Sequence, residues 1–249
     1  QTEERLIGER KIRLAGGIRL CNELALSCMQ PDKLKLCPAH DYLASAASRM
    51  TSESAMALRA VTLNSLGIYF MRSEQPQVAL RCFDCVRQIG GGGAKDDVNL
   101  HALLNTTTVL SELGRDAESL RAAEAAVRIV ERGHTMDPSL ESAAFHNLAV
   151  ASQRVGAGQI AIKSFRAALR NSRRQRTSER CTTAAGAARM RQGSPDKKVA
   201  RHMQLSYESA VNRLPSAPVS PRHQPKEATG PLSDWVESWF AASGVGDTI

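Results

Sequence analysis

Residues 63–70 of the chain read Leu-Asn-Ser-Leu-Gly-Ile-Tyr-Phe, and this stretch decides the fold together with Ala79 and Phe83. Leu66 is followed directly by the small residue Gly67. Further on, the small residue Ala79 precedes the large residue Phe83 by four positions, which is one turn of a helix. Small residues allow two antiparallel helices to approach closely, and large residues fill the space between them. The stretch therefore predicts a hairpin of two packed helices.

The same frame recurs, so the chain contains an internal repeat. Leu24, Leu66, Thr106 and Leu148 hold equivalent positions, which gives spacings of 42, 40 and 42 residues. Glycines 114 and 156 fall where the turn between the two helices is expected, since helices commonly end beside a glycine. The copies are carried by three further sets of residues: Phe145, Leu148, Ala149, Gly156, Ala161, Phe165 and Ala168; Leu103, Thr106, Thr107, Leu110, Gly114, Ser119, Ala123 and Ala126; and Cys21, Leu24, Ala25, Cys28 and Cys37.

This pattern resembles the tetratricopeptide repeat (TPR), in which an apolar and a small residue on the first helix face Ala and Phe on the second. The commonest form of that repeat has about 34 residues. A period of 40 to 42 is instead similar to the repeats of kinesin light chains, and residues 129–138 resemble their longer connection. The resemblance implies an all-α fold: a right-handed α-solenoid of about four TPR helix pairs, with a capping helix and an extended C-terminal tail.

The chain divides into four predicted regions. Residues 1–17 form an N-terminal helix that covers the first repeat, and residues 18–174 form the solenoid, with repeats at 18–59, 60–99, 100–141 and 142–174. Residues 175–214 hold a basic segment and a capping helix, whose apolar stripe consists of Val199, Met203, Tyr207, Val211 and Leu214. Residues 170–192 are either a helix with a basic face or a flexible link. Residues 215–249 are a Pro-rich tail ending in a short docking helix.

Composition agrees with helices and with a location inside the cell. The 249 residues include only five Phe, three Tyr and two Trp, which disfavours a β-sandwich or barrel. Six cysteines are too few for a disulfide framework, and no apolar run reaches the roughly 18 residues of a membrane span. No secretory leader is recognisable, although the sequence starts at Gln1, so a removed targeting segment stays open. We expect an intracellular, cytoplasmic protein without a membrane span.

No constellation of residues in the sequence argues for catalysis. Cys82-x-x-Cys85 and Cys37-x-x-His40 have zinc-ligand spacing, but they fall in second helices of neighbouring repeats, and core packing is the stronger interpretation. The glycines at 90–93 follow a helix rather than a strand, so they are a connector and not a phosphate loop. The sequence therefore predicts a binding protein that is not an enzyme and holds neither metal nor cofactor.

In the architecture that the resemblance implies, the first helix of each repeat lines a concave groove that holds a peptide or helix of a partner protein. The outward positions are mostly apolar or amide-bearing, and amides can pair with the backbone of an extended peptide. At each position, packing between repeats is an equally good interpretation. Some family members grip a chaperone carboxylate with a Lys and an Asn, and this pair is not found at these positions. The predicted groove residues are Asn22, Met29, Asn64, Ile68, Met71, Thr108, His146 and Gln153.

Positive charge is concentrated in one stretch of the chain. Residues 163–201 contain twelve Lys or Arg and two acids, a net charge of +10, whereas the whole chain carries +8. Such a stretch fits an acidic protein surface, such as tubulin tails, or RNA phosphates, or is simply a solvated helix face. The absence of stacking aromatics weakens base recognition. The candidate residues for an acidic partner are Arg166, Arg170, Arg173, Arg174, Arg176 and Arg180.

Both tryptophans lie in the C-terminal tail. Asp234 and Glu237 have capping-box spacing, and Trp235 and Trp239 fall on one face of the predicted helix, with Phe240 beside them. A short helix of this kind typically docks into a groove. The groove can belong to another protein or to this chain, in which case the tail is an autoinhibitory latch.

These features together predict a non-enzymatic scaffold that mediates protein–protein interactions within a larger complex. The resemblance to kinesin-light-chain repeats favours a cytoskeletal, ciliary or flagellar, microtubule-associated setting. The alternative is an RNA- or ribonucleoprotein-binding adaptor that acts through residues 163–201.

Overall fold

The structure is a computed structural model that describes residues 2–30, 34–50, 54–90, 96–133, 137–182 and the single residue 236. Over these residues it consists of α-helices joined by turns and contains no strand, which confirms the all-α prediction. The segments predicted to form the capping helix and the Pro-rich tail lie outside the described residues. The eight helices of the described part are α1 (Thr2–Cys28), α2 (Leu36–Arg49), α3 (Met56–Arg72), α4 (Pro76–Gly90), α5 (Asp96–Glu112), α6 (Asp116–Glu131), α7 (Pro138–Arg154) and α8 (Gly158–Thr182).

The helix bounds repeat with the period seen in the sequence. Helices α3, α5 and α7 each have 17 residues and begin 40 and 42 positions apart, and their partners α4, α6 and α8 begin with the same spacing. Three residues connect the two helices of each of these hairpins. The packing of successive helices is consistent with a helical solenoid.

The three turns between paired helices are built alike. In each, an amide bonds back to the carbonyl five residues earlier, as in the bond from Gln75 N to Phe70 O at 2.8 Å. Equivalent bonds run from Arg115 N at 2.9 Å and Ala157 N at 2.8 Å. The residue before each of these amides has a positive φ, as a Schellman helix end requires: 59° at Glu74, 73° at Gly114 and 82° at Gly156. Glu74 thus occupies a left-handed position that the other two turns give to glycine.

Helices α3 and α4 approach closely because Gly67 has no side chain. A Cβ atom on Gly67 would lie 2.3 Å from Cε1 of Phe83, and the Phe83 ring is fully buried. The fourth repeat uses Ala149 at the equivalent position, where it packs with Ala161 and Phe165 in one buried cluster. This is the small-against-large pairing that the sequence predicts.

The third repeat replaces this apolar pair by hydrogen bonds. Thr107 is buried at the small-residue position, and Ala123 stands where the second and fourth repeats have Phe83 and Phe165. The Ser119 hydroxyl donates to the Thr107 carbonyl at 3.0 Å and bonds with the Ser111 hydroxyl at 2.8 Å. The looser sequence match of this copy therefore has a structural counterpart.

The chain forms two compact units. In the first, residues 1–102 and 223–249, α1 packs on α2, α3 packs on α4, and both α1 and α2 contact α3. In the second, residues 103–222, α7 packs against both α6 and α8. Arg154 of α7 stabilises this second unit, since its guanidinium donates to the Asp116 carboxylate at 2.6 Å and to the Ser111 carbonyl at 2.9 Å.

Helix α1 differs from the prediction in two ways. It runs without a break from Thr2 to Cys28, so the predicted N-terminal helix of residues 1–17 continues directly into the first hairpin. In addition, Leu24 is 37% exposed, whereas its equivalent Leu66 is fully buried. The buried residues of α1 are instead Ile18, Cys21, Asn22 and Ala25, and Met29 directly after the helix is buried as well.

Candidate protein-binding groove

A groove of about 1000 Å³ opens on the first unit between α1, α3 and the start of α5. These are the first helices of three successive hairpins. We call it the α1–α3–α5 groove. Its apolar lining consists of Ile7, Leu14, Ala15 and Ile18 from α1, Ala55, Ala57, Leu58 and Val61 from α3 and the residue before it, and Val98 from α5.

The groove exists because α1 is longer than its partner. Helix α1 has 27 residues and α2 has 14, which correspond to lengths of about 40 Å and 21 Å at about 1.5 Å per residue. The first half of α1 therefore extends beyond the hairpin while it still carries apolar residues. Ile7, Leu14 and Ile18 recur at helical spacing and face the groove together.

The charge of the groove is positive. Arg10, Lys11 and Arg19 of α1 line it, and all three side chains are exposed. Asp and Glu are absent from its described lining. An apolar floor with a cationic rim suits an amphipathic helix or peptide that carries acidic side chains.

Two of the predicted groove residues are packing residues in this structure. Asn22 is 1% exposed, and its side-chain amide donates to the Thr62 hydroxyl of α3 at 2.8 Å. Met29 is 2% exposed at the end of α1. Neither side chain is accessible to a ligand of the free chain, so at these positions the packing interpretation holds. The reason is that α1 and α3 are in direct contact here.

Three predicted residues share one face of α3. Asn64, Ile68 and Met71 are half-buried and follow Val61 at spacings of three and four residues. Because Val61 lines the α1–α3–α5 groove, these residues extend the same helix face towards the end of α3. They remain candidates for ligand contact within the first unit.

The other three predicted residues belong to the second unit. Thr108 is exposed, but its hydroxyl donates to the Leu104 carbonyl of its own helix at 3.1 Å. His146 is half-buried, and its ring lies edge-on to Phe165 with centroids 5.6 Å apart. Gln153 is half-buried near the end of α7. Thr108 and His146 thus have structural partners of their own.

Sequence reasoning did not identify Arg10, Lys11, Leu14 and Arg19 as groove residues. The signal was present, since Ile7, Leu14 and Ile18 form an apolar stripe at helical spacing. Residues 1–17 were predicted to form a separate helix that covers the first repeat, so this apolar stripe was expected to pack against that repeat. The length of α1 could not be read from spacing alone, since the helix continues past residue 17 without a break to Cys28.

Helix α8 carries an exposed basic face. Lys163, Arg166, Arg170 and Arg173 are exposed and follow one another at three- and four-residue spacing, and the exposed Arg174 lies four residues after Arg170. The helix continues to Thr182, so residues 170–182 are helical rather than a flexible link. The backbone of α8 includes Arg176 and Arg180, whose side chains lie outside the described part.

The cysteines of the CxxC pair belong to the core of the first unit. Cys82 and Cys85 are buried on either side of the fully buried Phe83. Burial, together with the negative charge of Asp84, raises the pKa of the Cys85 thiol to about 12. A thiol in this environment stays protonated at neutral pH. Within the described residues, the structure contains no group of three or more His, Cys, Asp or Glu side chains that could hold a metal ion.

The tail is represented by one described residue, Val236, which is helical and fully buried. It belongs to the first unit. Trp235, Trp239 and Phe240 lie outside the described residues.

Comparison with models of known protein families gives no match, and no curated protein is significantly similar in sequence. The resemblance to the tetratricopeptide repeat therefore rests on the residues and the helix periodicity of the chain itself. In the described part of the chain, no helix combines the length and the apolar character that crossing a membrane requires.

Proposed function

We propose that this protein is a non-enzymatic, TPR-like scaffold that binds other proteins within a larger complex. The observation that carries the proposal is the α1–α3–α5 groove, an open apolar surface with a cationic rim on the first helices of three successive hairpins. Its apolar lining fits the non-polar face of a helix or peptide.

The test places a negative charge in the groove and the same charge elsewhere. Ala57 is exposed, lines the groove and is the second residue of α3, and Ala117 is exposed at the second residue of α6. Ala57→Glu and Ala117→Glu are therefore a matched pair with equal helix propensity and equal helix position. Proteins are captured from native lysate with the wild-type chain and with each of the two variants. Each capture is made with and without nuclease treatment.

The scaffold proposal expects the same protein partners with the wild-type chain and with Ala117→Glu, both before and after nuclease treatment. Ala57→Glu should lose them, because the new carboxylate puts a charge on the surface that the partner covers and repels a partner with acidic side chains. Partners that bind equally to all three chains would show that the groove does not hold them.

A second candidate function is RNA binding through α8. It is favoured by the exposed basic face formed by Lys163, Arg166, Arg170, Arg173 and Arg174. Phosphate contacts need only such a stripe, and each phosphate neutralised on a single strand lowers the logarithm of affinity by about 0.7 per tenfold rise in salt. Base-specific contacts are not part of this candidate.

Reversing charges on α8 tests the RNA candidate. Arg170→Glu/Arg174→Glu is compared with Arg121→Glu/Arg128→Glu, which changes the net charge equally at exposed positions of α6. If α8 binds RNA, only the α8 variant loses affinity for a single-stranded oligonucleotide, and its salt dependence becomes shallower. Equal losses in both variants would indicate a non-specific effect of net charge.

The cytoskeletal setting is the part of the proposal that depends on resemblance. Kinesin-light-chain-like repeats favour a ciliary, flagellar or microtubule-associated scaffold inside the cell. An acidic surface such as a tubulin tail fits the basic face of α8 by charge. Co-sedimentation with microtubules, with and without removal of the acidic tubulin tails, tests this setting directly.

A further inference from the structure

We infer that residues 232–240 of this chain dock in cis on the first unit, in the α1–α3–α5 groove. The starting observation is Val236, which is helical and 0% exposed. An isolated helix leaves its side chains open to solvent, so a helix that contains a fully buried valine is covered by something else. Val236 belongs to the first unit, which also holds the groove. The inference rests on the groove of the proposed function and names its ligand.

Charge supports this occupant. Residues 232–249 contain Asp234, Glu237 and Asp247 and neither Lys nor Arg, so the segment carries a charge of −3. The groove has the opposite pattern, with Arg10, Lys11 and Arg19 and without an acid in its described lining. Complementary charge of this kind aligns two surfaces and disfavours other occupants.

Shape supports it as well. Trp235 and Trp239 are four residues apart and fall on one helix face, so a docked helix presents two large rings to the same surface. The groove wall contains three alanines, Ala15, Ala55 and Ala57, which leave room for large side chains. Tryptophan is one of the side chains enriched among the residues that carry most of the binding energy at interfaces.

The connection is long enough for docking within one molecule. Fifty-one residues separate the end of α8 from Asp234, and a chain of that length reaches at most about 170–180 Å when fully extended. A linked segment reaches an effective concentration of about 1 mM, so a segment with a dissociation constant of about 100 µM would be docked about 90% of the time. Weak docking therefore suffices.

The inference also defines the class of ligand that the groove takes in trans. It is an acidic amphipathic helix with aromatic residues at positions i and i+4. A partner with this chemistry would compete with the tail for the same surface.

The experiment uses the fluorescence of the full-length chain, because both tryptophans lie in the segment at issue. Acrylamide quenching of the protein is compared with that of a synthetic peptide of residues 232–249. Docking predicts that quenching is weaker in the protein than in the peptide and does not change with protein concentration. Quenching equal to that of the peptide would overturn the inference, and protection that appears only at high protein concentration would assign the tail to a second copy.

Charge reversal on α1 identifies the surface. Lys11 lies on the groove side of α1, whereas Arg13 is exposed and does not line the groove. Lys11→Glu should lower the ratio of docked to free tail about two- to fivefold, as expected for an exposed charge pair. Arg13→Glu should leave the ratio unchanged. Equal effects of the two variants would overturn the assignment to the groove.

The tail side supplies the complementary variant. Glu237→Lys alone should raise quenching, and Lys11→Glu combined with Glu237→Lys should restore protection. This result separates the inference from the proposed function, because it is measured without any partner. Failure of the tail to dock leaves partner capture by the groove intact, and failure of partner capture leaves tail docking intact.

Discussion

Gly67 is the residue at which the packing of the second hairpin leaves the least room. Gly67→Ala places a Cβ atom 2.3 Å from the buried Phe83 ring, so we expect the free energy of unfolding to fall by about 1–3 kcal/mol. Gly16→Ala is the control, because a Cβ there meets nothing within 4 Å and alanine stabilises a helix by about 0.5–1 kcal/mol. Urea unfolding of both variants measures the two effects.

Opposite signs for the two substitutions are the essential part of this prediction. If Gly67→Ala stabilises as Gly16→Ala does, then α3 and α4 are not in the close contact described above. Combining Gly67→Ala with Phe83→Leu should recover part of the loss, since the smaller side chain makes room for the added methyl group.

Glu74 is the second residue with a clear physical cost. Its φ of 59° lies in the left-handed region, where a residue with a side chain is less stable than glycine by about 1–2 kcal/mol. We expect Glu74→Gly to be more stable than Glu74→Ala by about 1 kcal/mol, because both remove the side chain and only glycine relieves the backbone. Thermal unfolding compares the two variants.

The equivalent turn of the fourth repeat gives the reciprocal change. Gly156→Ala keeps a φ of 82°, and its new Cβ meets nothing within 4 Å, so its effect isolates the backbone. It should destabilise the protein by about 1–2 kcal/mol. A neutral Gly156→Ala would mean that the turn can change its conformation freely.

At the scale of helices, the spacing of equivalent residues in the sequence predicted the helix positions of the second, third and fourth repeats. Leu66, Thr106 and Leu148 predicted a period of 40 and 42 residues, and the starts of α3, α5 and α7 show it. Two helices can pack closely only where a small residue faces a large one. This requirement places small and large residues at fixed offsets, so it can be recognised in the sequence. Gly67 against Phe83 is the clearest instance.

Spacing was less informative for α1, and so for the groove. Residues of the first repeat follow the frame only in part, since Leu24 is exposed while Ala25 is buried. Burial of Asn22 depends on Thr62, which lies 40 positions further on. Such a contact between two helices cannot be predicted from the spacing of apolar residues within either helix. The charged rim of Arg10, Lys11 and Arg19 likewise depends on how far α1 extends.

The Asn22–Thr62 hydrogen bond joins α1 to α3, and its loss is the prediction at this scale. The Thr62 hydroxyl accepts from Asn22 at 2.8 Å and donates to the Leu58 carbonyl at 3.0 Å. Asn22→Ala removes the donor of a buried bond and should lower the free energy of unfolding by about 1–3 kcal/mol. Thr62→Val should have a similar effect from the other side.

A double-mutant cycle checks that the two losses share one bond. Asn22→Ala/Thr62→Val should cost less than the sum of the single variants, with a coupling of about 0.5–3 kcal/mol. Additive costs would show that the two side chains stabilise the protein independently. Because Asn22 is buried, affinity for a groove ligand should change far less than stability does.

At the scale of the whole molecule, the tail and the groove carry complementary features in distant parts of the chain. When the tail occupies the groove in some of the molecules, only the remaining molecules can bind an external ligand. The apparent affinity is then the intrinsic affinity multiplied by the fraction of molecules whose groove is free. With about 90% of the tail docked, removal of residues 232–249 should tighten binding of an external ligand about tenfold. The full-length Trp235→Ala/Trp239→Ala chain should show the same gain, because the tail then lacks its anchors.

The ligand for this measurement is a labelled peptide of residues 232–249, whose anisotropy reports binding to the wild-type chain, the truncated chain and the double alanine chain. Arg13→Glu in the full-length chain is the control, since it alters charge on α1 away from the groove. Equal affinities for all chains would show that the tail does not occupy the peptide's site. Tighter binding after truncation alone, without a gain in the double alanine chain, would show that the tail acts through residues other than its tryptophans. If the truncated chain and the double alanine chain both bind the peptide more tightly, and Arg13→Glu binds it as the wild-type chain does, then the tail occupies the groove by inserting its two tryptophan rings.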